Sequence, residues 1–443
     1  MYSEKVKSVL KKRGIKSGSY VTVEKNGKAY SGIIIPKDDT GDSDSIVLKL
    51  DSGYNMGIKH GKGVKITKSK SGSKKLGKIS KKLIKVKFFK DKPPISMIST
   101  GGTIASRVDY STGGVTAVVS ADEILYNIPE LAEIVNIKRM LVPFTKMSED
   151  MDHKDWQDLA KTIAKELNSG SKGVIVTHGT DFLHYTSAAL SFMLRDLGKP
   201  VVLVGAQRSI DRGSSDGPVN LLCAAHVSVS NMAEVGICMH GEMNDSYCLF
   251  NRGTKVRKMH TSRRDAFRPI NDLPIAKIWP DGKIERTGRY RKREDSKVIA
   301  DIKFEPKVAI LKAYPGSDPD IMNYFARKDY KGFVIEGGAL GHVPTKARVS
   351  WISTIKRHVK DGIPVIVTSQ SIYGRVNPNV YTNLRILSRA GAIHGEDMLT
   401  ETAYIKLGWV LGHTKDMEEI ENMMLTDYAG EITKRSETKA FLY

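Results

Sequence analysis

Threonine hydroxyls follow two apolar segments of this chain, each on a glycine-containing turn. The first turn is Thr-Gly-Gly-Thr at residues 100–103, after the apolar run 95–98, and the second is His-Gly-Thr-Asp at 178–181, after 173–176. Glycines let the backbone approach a substrate closely and leave N–H groups free to stabilise an oxyanion. One such turn would fit an ordinary strand-to-helix connection, but the pair favours nucleophilic attack on an amide carbonyl.

A threonine hydroxyl is a poor nucleophile at neutral pH and needs a base to accept its proton. Asp181 follows Thr180 directly, and an ammonium group would complete a Thr–Asp–Lys relay. Lys255 and Lys258 lie in one short segment, and the residues alone do not choose between them. An enclosed Asp181 without a cation would be unfavourable, because breaking a buried ion pair costs ~3–5 kcal/mol.

Length and composition indicate a globular protein of several domains. The 443 residues are enough for about three domains, and 40% are hydrophobic. No apolar stretch approaches the ~18 residues that span a bilayer, and Glu4 interrupts any signal-like segment. The three cysteines show no C-x-x-C spacing. We therefore expect reduced core thiols in a cytoplasmic protein.

Positive charge is concentrated at the start of the chain. Residues 1–92 hold 24 Lys and Arg against 8 Asp and Glu, and within 61–92 there are 13 lysines and one acid, Asp91. This asymmetry favours a polyanionic partner such as nucleic acid, although lysine-rich surfaces also occur in heat-adapted proteins. Aromatic residues do not alternate with these lysines, so phosphates and shape are the expected targets rather than bases.

The basic segment 1–92 is predicted to be a small SH3-like β-barrel after a helix at 4–13. Asn26-Gly27 is a strong signal for a two-residue hairpin. The predicted strands are 20–24, 29–35, 46–50, 54–58 and 64–67. The segment 72–78 is close to a phosphate-binding loop, but Ile79 replaces the Ser or Thr that binds magnesium, so ATP binding is not expected here.

The remainder of the chain alternates between strand and helix patterns, which predicts an α/β fold with doubly wound parallel sheets. The predicted units are a domain at 93–290, a linker at 291–306, a second domain at 307–425 and a polar surface arm at 426–443. The predicted strands are 95–98, 173–176, 201–204, 308–311, 332–335 and 364–367. The predicted helices are 153–167, 186–197, 346–360 and 400–411.

Several motifs resemble those of the L-asparaginase/glutaminase family. They are T-G-G-T-I-A at 100–105, H-G-T-D at 178–181, V-G-A-Q-R at 204–208 and S-D-G-P-x-N-L at 215–221, and the resemblance covers about 95–425. The basic first segment and the motifs at 340–344, 400–404 and 429–432 resemble the subfamily of archaeal glutamyl-tRNA(Gln) amidotransferase D subunits. The family fold has two α/β domains.

The resemblance implies roles for individual residues. Thr103 would attack the side-chain amide of glutamine and form a γ-glutamyl ester, while Thr180, Asp181 and Lys258 would form the proton relay. The family leaves open which threonine is the primary nucleophile, and Thr103 is preferred over Thr180 here. Tyr110 matches a tyrosine on the mobile loop that covers the site.

The same resemblance implies a substrate-binding set. Ser148 would bind the substrate α-carboxylate, and either Glu149 or Asp181 would pair with the α-ammonium. Glu149 stands where many asparaginases have glutamine, and Phe182 replaces the last threonine of the family motif. This replacement removes one hydroxyl but leaves the relay residues in place.

Other polar residues are expected to be structural. His178 is interpreted as a hydrogen-bonding residue rather than a base, and Asp216 and Asn220 as braces of a loop. His342 and His394 lack metal-ligand spacing. The arginines at 263–264 and 289–293 are expected on the solvated surface, with a partner interface as the alternative.

The implied function is the glutaminase subunit of an amidotransferase that converts Glu-tRNA(Gln) to Gln-tRNA(Gln). This chain would need no cofactor, and ATP and Mg²⁺ would bind to a partner subunit of the E type. A homodimer within an α2β2 complex, with tRNA(Gln) and glutamine as ligands, is the expected assembly. The alternatives are a free-standing L-asparaginase and an RNA-binding scaffold with a decayed amidohydrolase domain.

Overall fold

A computed structural model describes residues 2–36, 42–50, 55–69, 91–102, 106–108, 115–117, 128–208 and 214–443. Thr103, Tyr110 and the segment 72–78 lie outside the described residues. No helix in these ranges is long and apolar enough to cross a membrane.

The basic module is a five-stranded antiparallel sheet preceded by the helix Glu4–Lys12. Asn26 and Gly27 have positive φ angles of 51° and 74°, as the tight hairpin requires. The predicted five strands are confirmed, and the module is compatible with a β-barrel. Across the sheet the strands are Asn55–Lys59, Ser45–Leu50, Lys28–Ile34, Tyr20–Lys25 and Lys65–Lys68.

An eight-stranded sheet, here called the large sheet, forms the centre of the chain. Its five strands on one side are parallel, and the remaining three are antiparallel additions. Its central strands are buried along their whole length, as is typical of parallel sheets in α/β proteins. In spatial order the strands are Ile284–Arg286, Ala276–Ile278, Cys248–Arg252, Val235–His240, Val201–Val204, Val174–Thr177, Pro94–Ser99 and Asn136–Leu141.

Helices of this part alternate with its strands, as expected for parallel βαβ units. His153–Asn168 begins with a capping box at Asp152, whose side chain accepts a hydrogen bond from the backbone of Lys154. The helices are Leu131–Ile134, His153–Asn168, Leu183–Met193 and Gly217–Ser228, with a 3₁₀ turn at Ser148–Asp150.

A four-stranded parallel sheet organises the second α/β part. Its strands in order are Val308–Lys312, Gly332–Gly337, Val365–Ser369 and Ile393–His394. Its helices are Asp320–Arg327, Ile352–Lys360, Thr382–Arg389, Thr400–Leu411 and Met417–Leu425. The helix Thr400–Leu411 is buried almost all round and packs against Leu183–Met193, so the two α/β parts share one apolar core. The predicted α/β class is confirmed.

Short strand pairs lie outside these sheets. Val256–Lys258 pairs with Phe267–Pro269, and we call this pair the lysine ribbon. Ser106–Val108 pairs with Val115–Ala117, and Leu194–Arg195 pairs with Ile299–Ala300. The latter strand lies within the predicted linker, and the domain boundaries themselves remain predictions. A 3₁₀ turn at Thr438–Ala440 follows later in the chain.

The polar segment after Leu425 is not a surface arm throughout, which corrects the prediction made from its composition. Glu431 is fully buried, and its Oε1 lies 2.6 Å from Nζ of the equally buried Lys406. Ala429 and Thr433 are also buried. Composition misled because each buried polar group has a specific partner in the rest of the fold.

The arginine clusters lie largely on the surface, as predicted, with Arg263, Arg289 and Arg291 exposed, and some of their side chains also bind neighbouring segments. Arg263 forms a two-bond ion pair with Asp265 at 2.8 and 2.9 Å. Arg293 donates to the main-chain carbonyls of Lys172, Ser228 and Ser230. The three cysteines are buried free thiols, as expected.

Candidate active site

The two glycine turns meet at the carboxyl ends of adjacent parallel strands. Pro94–Ser99 and Val174–Thr177 lie side by side, and the Thr100 amide donates to the Thr177 carbonyl at 3.0 Å. Gly102 has a φ of +83°, and a Cβ atom there would lie 2.4 Å from the Gly179 nitrogen. The first turn therefore needs glycine both for its backbone conformation and for contact with the second turn.

Thr180 and Asp181 extend from the second turn, directly before the helix Leu183–Met193. Thr180 is 9% exposed, and it fits beside Gly205, where a Cβ would approach its methyl group to 2.7 Å. The Asp181 side chain is 61% exposed. A carboxylate just before a helix is favoured by the positive end of the helix dipole.

Lys258 completes a three-residue cluster with Thr180 and Asp181. Its Nζ lies 2.9 Å from Thr180 Oγ1 and 2.6 Å from Asp181 Oδ1. The lysine side chain is 8% exposed, so the pair is enclosed on the lysine side and open to solvent on the carboxylate side. This geometry can hold an ammonium group against a hydroxyl while a neighbouring carboxylate balances its charge.

The choice between the two lysines of this segment is decided by their partners. Lys255 points away from the cluster and pairs with Asp397, with Nζ 2.6 Å from Oδ2. Both side chains are buried, and burial lowers the pKa of Lys255 while Asp397 acts in the opposite direction. The sequence left both lysines open, and Lys258 is the one that reaches Thr180 and Asp181.

Ser148 lies beside the same two turns. It is 4% exposed, and its Oγ accepts a hydrogen bond from the Phe182 amide at 3.3 Å. A Cβ on Gly179 would contact the Ser148 side chain at 3.1 Å. The Ser148 hydroxyl also donates to Glu149 Oε2 at 3.4 Å, which brings this second acid to the edge of the cluster.

His178 is fully buried and is held by hydrogen bonds on both ring nitrogens. Nδ1 lies 2.6 Å from the Gly179 carbonyl, which can only accept, so Nδ1 carries the proton. Nε2 then accepts from the Thr186 hydroxyl at 2.9 Å. Burial lowers the pKa of His178 to about 4, so the ring is neutral at pH 7. The arrangement is that of a residue that fixes the turn.

Asp216 and Asn220 brace the following loop. The Asp216 carboxylate accepts from the amides of Gln207 and Arg208 at 3.0 Å, and Asn220 Nδ2 donates to the Gly205 carbonyl at 3.0 Å. Because Gly205 packs on Thr180, this network supports the wall behind the cluster.

The sequence did not predict that Arg257, Glu401 and His184 lie close together next to Lys258. Glu401 Oε2 lies 3.3 Å from Arg257 Nη1, and its Oε1 lies 3.7 Å from His184 Nε2. Burial raises the pKa of Glu401 and lowers that of His184 to about 3. The motif at 400–404 was the only signal in the sequence, and it carried no indication of a contact with residue 257.

Within the ranges that the structure describes, no group of three or more His, Cys, Asp or Glu is arranged to hold a metal ion. Thr103 follows Gly102 directly in the chain, and Tyr110 follows seven residues later, but neither is among the described residues. Their roles therefore rest on the sequence.

Comparison with protein families divides the chain into three matches. Residues 94–290 match "Asparaginase, N-terminal", residues 307–424 match "Glutaminase/Asparaginase C-terminal domain", and residues 15–68 match "GatD N-terminal domain".

Similar curated proteins match along their whole length. The D subunit of glutamyl-tRNA(Gln) amidotransferase from Pyrococcus furiosus is 52% identical, with 99% of this chain and 100% of that protein covered. The protein of the same name from Methanosarcina acetivorans is 44% identical, with 95% and 98% covered.

Solved structures match a smaller part of the chain. The thermostable L-asparaginase from Thermococcus kodakarensis superposes with a TM-score of 0.69 at 30% identity, covering 77% of this chain and 100% of that one. L-asparaginase I from Vibrio cholerae gives a TM-score of 0.66 at 27% identity, with 77% and 99% covered.

Proposed function

The chain belongs to the family of glutamyl-tRNA(Gln) amidotransferase D subunits, and we propose that it is the subunit that hydrolyses glutamine to ammonia. The chain has an asparaginase-type amidohydrolase domain. Such a domain in an amidotransferase subunit is consistent with an enzyme that acts in a ligase-type complex. The observation that carries the proposal is the contact of Lys258 Nζ with both Thr180 Oγ1 and Asp181 Oδ1.

The proposed first step is attack of the Thr103 hydroxyl on the side-chain amide carbon of glutamine. The proton passes into the cluster of Thr180, Lys258 and Asp181 and then to the leaving nitrogen, which departs as ammonia. A γ-glutamyl ester on threonine remains. Water then attacks this ester, and the same cluster accepts its proton, so that glutamate is released and the threonine is restored.

The proposed substrate contacts lie on the open side of the cluster. Ser148 binds the α-carboxylate, since its hydroxyl is held between the Phe182 amide and the second turn. Asp181 and Glu149 are both exposed carboxylates at this edge, so either is able to pair with the α-ammonium. Tyr110 is proposed to cover the bound substrate.

The test is ammonia release from glutamine by the full chain, alone and with its ATP-dependent partner and Glu-tRNA(Gln). Thr103→Ala should lower kcat roughly 10³-fold or more, whereas Thr103→Ser, which keeps a hydroxyl, should retain measurable turnover. Rapid quenching followed by peptide mass analysis should find the γ-glutamyl ester on residue 103. An ester on Thr180 would assign the attack to that residue, and full activity of Thr103→Ala would reject the proposal.

The proposed destination of the ammonia is a second subunit, of the E type, that activates the glutamyl carboxylate on tRNA(Gln) with ATP and Mg²⁺. A homodimer of this chain bound to two such subunits is the proposed assembly. The basic module would hold tRNA or help to bind the partner, since residues 1–92 contain 24 Lys and Arg against 8 Asp and Glu.

A free-standing L-asparaginase is the second candidate, favoured by the superposition on asparaginase structures over 77% of the chain. High asparagine turnover that is indifferent to tRNA and partner would support it. The match of residues 15–68 to the GatD N-terminal domain favours the amidotransferase subunit instead.

A further inference from the structure

Lys258 is the last residue of the strand Val256–Lys258, which is not part of the large sheet. The lysine ribbon has three residue pairs, from Val256 with Pro269 to Lys258 with Phe267. A two-stranded ribbon of this length has little stability of its own, so contacts with the rest of the protein must hold it in place.

The second α/β part supplies such contacts on both sides of the ribbon strand. The Thr254 hydroxyl donates to the Ala429 carbonyl at 3.1 Å, and the Thr402 hydroxyl donates to the Thr254 carbonyl at 2.9 Å. Arg257 Nη1 lies 3.3 Å from Glu401 Oε2. The residues on either side of Val256 are therefore fastened to the helix that begins at Thr400 and to the segment after Leu425.

A buried ion pair provides the most enclosed of these contacts. Lys255 Nζ donates to Asp397 Oδ2 at 2.6 Å and to the Asp397 carbonyl at 3.1 Å, and the two side chains are 1% and 2% exposed. Asp397 is itself fixed by Thr433, whose amide donates to Oδ1 at 3.0 Å and whose hydroxyl donates to Oδ2.

We propose that Lys255, Asp397 and Thr433 are positioning residues that hold the lysine ribbon so that Lys258 reaches Thr180 and Asp181 together. Stability alone does not require this arrangement, because well-packed apolar side chains commonly replace a buried ion pair without loss of stability. The ion pair instead fixes the distance and direction between the ribbon and the second α/β part. The inference rests on the proposed role of Lys258 in the glutaminase reaction.

The first test is Thr433→Val in the full chain, assembled with its partner subunit. Valine has nearly the shape of threonine and keeps the amide, so the variant removes only the hydroxyl that fixes Asp397. A shift of about 1 Å in a reacting group lowers rates by roughly 10²-fold. We therefore expect the glutaminase kcat to fall roughly 10- to 100-fold while KM stays within about twofold, and Thr433→Ser to restore kcat.

The matched control is Glu166→Gln. Like Asp397, Glu166 is a buried carboxylate, but it is bound to a strand of the large sheet rather than to the lysine ribbon. Glu166 accepts from Ser96 at 2.6 Å and pairs with Arg139 at 3.0 Å, with no contact to the ribbon among the described hydrogen bonds. It should lower Tm without lowering kcat. An equal loss of kcat in Glu166→Gln and Thr433→Val at equal Tm would overturn the positioning role.

A second variant tests the ion pair without leaving one charge unpaired. Lys255→Met combined with Asp397→Leu removes both charges together but leaves the Thr433 amide and hydroxyl without their acceptor, so we expect a folded protein with a lowered Tm and a lowered kcat. Hydrogen exchange should be faster at residues 254–258 in this variant and in Thr433→Val, but unchanged in Glu166→Gln. Wild-type kcat and exchange in the double variant would overturn the proposal.

Lys258→Met separates this inference from the proposed function. If Lys258→Met has wild-type glutaminase activity, the proposed relay fails whatever the result at Thr433. If Lys258→Met is inactive while Thr433→Val is indistinguishable from the wild type in kcat and exchange, the relay stands and the positioning role is rejected.

Discussion

The two sides of the candidate site are held in different ways. Thr180 and Asp181 lie on the turn that follows a fully buried strand, Val174–Thr177, so the hydrogen-bond ladder of the large sheet positions that turn. Lys258 lies on a two-stranded ribbon whose neighbours contact residues 142 to 175 positions later in the chain. The proposed proton relay would therefore depend on both a local framework and a distant one.

The largest expected loss of activity comes from removing the contact between Lys258 and Asp181, where the two sides of the site meet. Lys258→Met and Asp181→Asn should each lower the glutaminase kcat roughly 10³-fold, because proton transfer by a positioned side chain contributes about 10²–10⁴-fold. The double variant should be hardly slower than either single one, since both remove the same interaction.

Steady-state ammonia release measures this effect, and Lys161→Met is the control. Lys161 forms an exposed ion pair with Asp158 at 3.2 Å, on a surface helix. Its replacement should leave kcat unchanged. Multiplicative losses in the Lys258 and Asp181 double variant would mean that the two groups act independently.

Gly102→Ala should break the side that the sheet fixes while leaving the lysine ribbon alone. The new methyl group would meet the Gly179 backbone at 2.4 Å, at a φ of +83° that disfavours alanine. We expect a loss of about 3 kcal/mol in the free energy of unfolding, measured by chemical denaturation, together with lost glutaminase activity.

Gly170→Ala is the matched control for the backbone effect. Gly170 has a φ of +96°, and a Cβ there would meet no atom within 4 Å. It should cost about 1 kcal/mol from conformational strain and leave activity intact. Equal losses at the two glycines would show that contact between the turns is unimportant.

A pH-dependent effect should follow from His178, which braces the turn on the sheet side. Its pKa is lowered by burial to about 4 from 6.5, so between these values the unfolded chain binds a proton that the folded protein does not. Stability is therefore complete above about pH 6.5 and falls as pH decreases toward 4. From pH 7 to pH 5 this histidine should account for a loss of roughly 2 kcal/mol.

His178→Gln removes this titration. Its free energy of unfolding should start lower, because the two ring hydrogen bonds are altered, but should decline less between pH 7 and pH 5. Denaturant titrations at the two pH values measure the difference. A decline as steep as in the wild type would assign the acid sensitivity to other groups, such as His184.

The smallest effect on glutaminase activity should come from deletion of residues 1–92, which contribute to neither side of the site. Glutaminase kcat/KM should stay within about twofold, since matched asparaginase structures superpose on 77% of the chain. Affinity for tRNA should fall and lose part of its salt dependence, because fewer phosphates are neutralised. Unchanged tRNA affinity and amidation in filter-binding and aminoacylation assays would contradict the proposed role of the module.

Sequence patterns located the elements whose residues are close together in the chain. The strand Val201–Val204 and the helix Thr400–Leu411 lie where they were predicted, and both are buried along almost their whole length. A short continuous apolar run bounded by turn residues is typical of a buried strand. The helix predicted at 346–360 begins only at Ile352, since few apolar contacts constrain its first residues.

Contacts between distant residues could not be obtained in this way. Nothing in the segment 255–258 distinguishes a lysine that pairs with Asp397 from one that meets Asp181, because the packing of the second α/β part decides it. Glu431 and Thr433 were assigned to a polar surface arm for the same reason. Their burial depends on Lys406 and Asp397, which local composition does not reveal.

The long separation between the lysine ribbon and its partners has a consequence for biosynthesis. A ribosome completes both threonine turns and the ribbon well before it reaches Asp397, Glu401 and Thr402. The strands that precede Thr180 are already complete at that point, and so is Ser187, which donates to the Gly253 carbonyl beside the ribbon. The partners of Lys255 and Arg257 are still to be translated. The contacts that support the candidate site are thus translated in two stages, and those from Asp397, Glu401 and Thr402 come last.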